Sequence, residues 1–127
     1  MEALLRALIV GNAGMIALVA PSSVVWSHLP QTTPRPAIVL YRISGAPGLH
    51  MQGSDNLLNA TVQIDIQATT VASMWEIRDE LVDLLHAHSD DSLRLISMNS
   101  ERQSSELLGT NTLIHKCSMD FDVWARA

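Results

Sequence analysis

The residues best equipped for chemistry in this chain are five histidines, one cysteine and thirteen carboxylates. A structural or catalytic metal site needs three or four such groups converging, with helical imidazole pairs at i, i+4. His86 and His88 stand two apart at the end of a helical pattern, so their side chains diverge by about 200°, and no spacing of cysteines or carboxylates supplies further ligands. Asp79 with Asp83, and Asp120 with Asp122, fall on the polar sides of a helix pattern and a strand pattern, where water alone explains them. Glu76, Glu80 and Asp83 near Arg78 read as ordinary surface charge. Cys117 alternates with Met119, Phe121 and Val123 and so belongs to an apolar row, a thiol without a base. There is no Gly-x-Ser-x-Gly elbow, no Gly-x-Gly-x-x-Gly and no phosphate-binding loop. The sequence predicts no enzyme, no cofactor and no metal.

The elements behind those residues centre on 57–88. Over Leu57–Ala68, Val62, Ile64, Ile66 and Ala68 alternate with Thr61, Gln63, Asp65 and Gln67, a strand with one buried and one wet face. From Val71 to His88 the period lengthens to that of a helix, with Met74, Ile77, Leu81, Leu84, Leu85 and His88 on one side and Glu76, Asp79, Glu80 and Asp83 on the other. Thr70 is the predicted N-cap. Val71, Trp75 and Val82 widen the apolar stripe beyond what one sheet needs. Either the first helix of the chain covers that flank, or it is a subunit interface.

Length and composition limit the rest. A chain of 127 residues and 13.9 kDa suits one domain, residues 1–127, with a single core. At 17% charged residues, its charge content is below the usual quarter. The net charge of −5, with eight basic residues scattered singly, argues against direct nucleic-acid binding, although a mildly acidic surface suits a passage through which DNA slides. Residues 1–20 make a poor signal peptide, since Glu2, Arg6 and Gly11–Gly14 interrupt the apolar run, and no stretch reaches the roughly 18 apolar residues of a membrane span.

In order, the chain predicts short helices at Glu2–Val10 and Ala13–Val19, the second capped by Asn12 and stopped by Pro21. A short strand follows at Val24–Trp26. Leu29–Pro36, with three prolines in eight residues, predicts an extended path or sheet edge, and Ala37–Ser44 a central strand apolar on both faces. Gly45–Asn56 is rich in turn formers and predicts a long loop, either mobile in solvent or in contact with a partner. Leu93, Leu95, Ile96 and Met98 open another strand. Asn99–Glu106 reads as a polar segment reaching past the core, Gly109–Asn111 as a turn, and Leu113–Trp124 as the last, cleanly alternating strand. The sum is an α+β fold: a mostly antiparallel sheet of about five strands with one long helix and one or two short N-terminal helices on one face.

Taken together, these segments resemble the phage tail-completion or tail-terminator proteins of long-tailed bacteriophages and of prophage-derived, gene-transfer-agent-like particles. The resemblance rests on the opening Met1–Leu8, on Leu29-Pro30-Gln31 with Pro36 and the strand Ile38–Gly45, and on Gly53 before Ala60–Ile66. The helix Ala72–Leu85 and the ending Phe121-Asp122-Val123-Trp124 complete it. Gln67 stands where family members often place an aromatic.

The resemblance implies a non-enzymatic virion protein, assembled in the bacterial host cytoplasm and located at the head–tail junction. It implies a homo-hexameric ring that terminates the tail tube and joins it to the neck. The implied partners are the tail tube protein and the neck or head-completion (stopper) protein, with DNA passing through the lumen without specific binding and no membrane involved. A closed head-to-tail ring needs two different patches per subunit. Trp75, Val82, Val71, Pro30, Pro34 and Pro36, on the long helix and in the proline-rich edge Leu29–Pro36, are the candidates for those patches. His50, Met51, Gln52, Ser54 and Asp55, together with Glu101, Arg102, Gln103 and Glu106, are the candidates for contacts between stacked rings. The alternatives are another neck or head-completion component, or a small α+β ligand-binding domain with a pocket lined by His28, His50 or Tyr41.

Overall fold

The computed structural model describes residues 2–30, 33–50, 53–90, 93–108 and 112–126. Its elements are helices α1 (Glu2–Val10), α2 (Ala13–Leu18) and α3 (Val71–Leu85), and strands β1 (Val24–Trp26), β2 (Ala37–His50), β3 (Gly53–Ala68), β4 (Leu93–Leu108) and β5 (Thr112–Arg126). A 3-10 turn at Pro21–Ser23 leads into β1. The strands form one open sheet in the order β1-β2-β3-β5-β4. Only β1 runs parallel to its neighbour, Val24 to Trp26 lying beside Ile38 to Leu40; every other pair is antiparallel. The fold is therefore α+β and mostly antiparallel.

The core lies between one sheet face and the helices. Leu40, Ile64, Ile66, Met119 and Phe121 meet Leu5, Ile9, Met15, Ile77, Leu81 and Leu85 there, all buried. Strand alternation makes this possible, because every second side chain of β3 and β5 points to the helices. Caps fix the helix starts: the Met15 N–H donates to Asn12 Oδ1 at 3.0 Å, and the Ser73 N–H to Thr70 Oγ1 at 3.1 Å. Where α2 meets α3, the Glu80 carboxylate lies in the space that a Cβ on Gly14 would take, and this flexible side chain would have to swing aside for any larger residue there.

Several boundaries differ from the sequence reading, the last strand running Thr112–Arg126 in place of Leu113–Trp124. The predicted loop Gly45–Asn56 is instead the end of the β2–β3 hairpin, paired out to His50 opposite Gly53. Its glycines and proline suggest turns one residue at a time, but the ladder absorbs them in register shifts between Arg42 and Ser44 and between Pro47 and Leu49. Asn99–Glu106 is likewise a strand, since β5 supplies a partner for its backbone. Helix α3 stops at Leu85 rather than His88, because Ala87 turns left-handed (φ 65°) and donates its N–H to the Ile96 carbonyl at 2.7 Å. Helix α2 ends at Leu18, with Val19 as its C-cap.

Candidate assembly surfaces

The register of the sheet sets its two ends apart. β3 and β5 are paired from Leu57 opposite Arg126 to Ala68 opposite His115. Among the described residues, the β2–β3 hairpin continues alone beyond Leu57 through Gly53–Asn56, and the β4–β5 hairpin continues alone beyond His115 through Thr112–Ile114. Each overhang extends on the order of 10 Å at about 3.3 Å per residue, and the two point in opposite directions. His50, Ser54 and Asp55 belong to the first overhang; Met51 and Gln52 lie outside the described residues. Glu106, opposite Ile114, belongs to the second, whereas Glu101, Arg102 and Gln103 lie along the edge strand leading to it.

The two lateral flanks also differ. On the β4 side, α3 lies against the edge strand: Arg78 donates from Nε and Nη2 to the two Glu101 carboxylate oxygens at 2.8 Å each. That bidentate pair, with Asp79 at 3.0 Å, holds the Arg78 pKa above its ordinary value, hydrogen bonding to Glu101 being the larger cause. The guanidinium sits 5.8 Å from the Trp75 ring centroid. Trp75 is 38% exposed and Val71 46%. Val82, by contrast, is half-buried against the core, so part of the wide apolar stripe is used within the chain. A pocket of about 320 Å³ opens between α3 and the β4–β5 hairpin, lined by Val71, Met74, Gln103, Ser104, Ser105 and His115.

On the β1 side runs the proline segment, with Pro30 and Pro34 exposed and Pro36 half-buried behind a cis bond from Arg35. Ser23 Oγ donates to the Pro34 carbonyl at 3.2 Å, and Arg35 donates from Nε and Nη2 to Gln67 Oε1 at 3.3 and 3.2 Å. The Trp75 patch and the proline patch thus lie on opposite edges of the sheet.

Over its middle the sheet face away from the helices is polar and tied together by hydrogen bonds, while buried Ala37, Val39 and Ile114 and exposed Leu95 and Trp124 flank that polar centre. Arg102 donates to Asp120 Oδ2 at 3.2 Å and to Gln63 Oε1 at 3.3 Å, while Gln63 donates to Asp65 Oδ1 at 2.9 Å. Ser100 reaches the same Asp120 oxygen at 3.1 Å, and Thr61 donates to Asp122 at 3.2 Å. Asp120 Oδ1 is the one buried side-chain polar atom among the described residues with no partner. Alternation in the sequence marks Thr61, Gln63, Asp65 and Gln67 as the wet side of β3 and carries no sign of how they connect. Nor does it mark two exposed apolar pairs at opposite ends of β4, Leu95 beside Trp124 and Leu107 beside Leu113. The signal available was two consecutive leucines before a glycine, at Leu107–Gly109.

Three histidines have local structural partners. His86 Nδ1 accepts the Met98 N–H at 3.0 Å, His88 Nε2 lies 2.7 Å from Asp90, and His115 Nδ1 is 3.2 Å from Ser105 Oγ. Cys117 is buried, and the loss of solvent pushes its thiol up to about 11. Among the described residues, no helix is long and apolar enough to cross a membrane.

Comparison with known proteins gives two findings. The family model described as "Tail completion protein gp17" matches residues 2–126. A chain of the virion of a native gene transfer agent particle shares the fold with a TM-score of 0.73 at 13% identity, the alignment covering 100% of this chain and 95% of that one. No curated protein matches.

Proposed function

Because this chain belongs to the tail completion protein gp17 family and so has a structural role in completing a virion tail, we propose that it acts as one domain, closing into a homo-hexameric ring that terminates the tail tube and joins it to the neck. One observation supports the ring above the others: the chain carries four distinct surfaces on four sides. The Trp75–Val71 flank and the proline flank of Pro30, Pro34 and Pro36 lie on opposite edges of the sheet, the arrangement a head-to-tail ring needs. The two hairpin overhangs point along the perpendicular direction, one toward the tube and the other toward the neck or stopper protein. The open sheet face is the side we assign to the lumen. Arg35, Arg102 and Lys116 there are all engaged by groups of the same chain, so passing DNA meets no free cation among them.

The test mixes the protein with polymerising tail tube subunits and measures tube lengths by electron microscopy. Addition of the wild-type chain should arrest growth, and native mass spectrometry of capped tube ends should give six copies of 13.9 kDa. Trp75→Asp should keep its circular dichroism yet leave tubes growing. Unregulated tubes with the wild-type chain, or arrest by the variant equal to wild type, would sink this reading. Binding to portal rings in place of tube ends would make the chain a head-completion component instead.

A further inference from the structure

The outer edge of β4 is the longest strand edge left unpaired among the described residues. β5 occupies one side of β4 from Leu93 to Leu108, and nothing described pairs with the other. Such an edge is a template for another chain, and proteins blunt it with proline, with bulges, by covering it, or with charged side chains that a second strand cannot match. β2 is blunted in this way beyond β1, by Pro47 and by its two register shifts. β4 also shifts register, between Leu93 and Leu95 and between Met98 and Ser100. From Ser100 to Leu108, however, it follows β5 without a break and contains neither proline nor glycine. Residues 101–107 are all exposed.

That stretch is complementary to itself. When two copies of one strand meet antiparallel about a twofold axis normal to the sheet, each residue faces one an equal distance on the other side of the axis, and facing side chains share a sheet face. With the axis at Ser104, Arg102 faces Glu106 of the second copy and Glu106 faces its Arg102. Both side chains are 56% exposed and on the open face. With the axis at Glu101, Arg102 or Glu106, a charge faces its own copy. With the axis at Gln103 or Ser105, every charge faces a neutral residue. The Ser104 register also sets Leu107, 67% exposed, against Glu101 of the second copy, whose own Arg78 is stacked on Trp75.

We propose that the free chain is a twofold dimer joined edge to edge by β4 in the Ser104 register. The seam buries the Leu107 side chain against the Arg78–Trp75 flank of the second copy. The dimer therefore occupies a surface that the ring requires, and it holds the chain in reserve until a tube end displaces it. The pairing stands without the ring; only this masking role rests on the proposed function.

The test is the mass of the full chain in solution, by sedimentation over a range of concentrations, for wild type, Arg102→Glu, Glu106→Arg and an equimolar mixture of the two variants. Wild type should approach twice 13.9 kDa. Each variant alone sets like charges against each other twice across the seam and should weaken dimerisation roughly tenfold. In the mixture every facing pair is again Glu with Arg, so dimerisation should return. Because intrachain effects of each substitution are identical alone and mixed, the recovery reports only the seam. Hydrogen exchange on wild type gives a second reading independent of any variant: outward-facing β4 amides near Ser104 should slow as the dimer forms. A wild-type chain that stays monomeric, variants that dimerise like wild type, a mixture no tighter than its components, or unprotected β4 amides would each overturn the proposal. A six-chain mass with those amides unprotected would overturn the dimer while leaving the ring intact.

Discussion

Strands β3 and β5 present two faces built on opposite principles, although the residues of the two faces alternate along the same backbone. Toward the helices stand Val62, Ile64, Ile66, Met119 and Phe121, with no measurable exposure. Away from them stand Gln63, Asp65, Asp120 and Asp122, joined by directional bonds of 2.9 to 3.3 Å that link them to Arg102 and Thr61. The first face is held by removal of apolar area from water, which is large and insensitive to direction. The second is held by hydrogen bonds and ion pairs that run from exposed Arg102 to buried Asp65, each of modest net worth but fixed geometry. The helix face therefore determines whether the chain folds, and the open face determines what it presents.

The strongest way to break this division is to substitute neighbouring positions of β5. Phe121→Ala should cost about 3–5 kcal/mol in urea denaturation, whereas Asp122→Ala should cost less than about 0.5 kcal/mol. Equal losses would show that the open face also carries stability.

Next in size is the alkaline behaviour of Cys117 on the dry face. Burial raises its thiol from 9.0 to about 11, so the native state holds the proton more tightly than the unfolded chain does. The associated stability is complete below pH 9 and should fall by about 2 kcal/mol as pH rises to 11, a decline that Cys117→Ala should lack. Thr70→Ala, which removes the hydroxyl that starts α3, should cost about 1 kcal/mol in the same assay. Smallest is Arg102→Ala. It breaks ion pairing at a side chain 56% exposed and should change stability by about 0.5 kcal/mol or less, while disturbing self-association measurably.

These magnitudes parallel what could be read in the sequence. Alternation in Thr61–Ala68 and Leu113–Trp124 sorts the two faces correctly because period two is a property of the backbone itself. Thr70 and Asn12 reveal their helices because capping is local. The hairpin ends were harder. Gly45, Pro47, Gly48 and Gly53 favour turns individually, and only the partner strand, remote in sequence or across a tip, decides that they extend the ladder. The same holds for Asn99–Glu106, whose polarity marks exposure and is silent on pairing. The opposition of the Trp75 and proline flanks was hidden for a similar reason: it depends on strand order, which requires knowing that β5 inserts between β3 and β4. The chemistry of the surfaces was legible residue by residue; their placement was not.

The offset between the hairpin overhangs has a mechanical meaning. One overhang is the start of β3 and the other the start of β5, and the two strands are joined by twelve consecutive residue pairs. A pull on both overhangs, away from each other, loads that ladder along the strands, in shear. A sheared ladder must break its hydrogen bonds together, whereas a peeled one breaks them one after another. A chain gripped at both ends in this way would behave as a stiff tensile link, resisting extension best along the line that joins its two contacts.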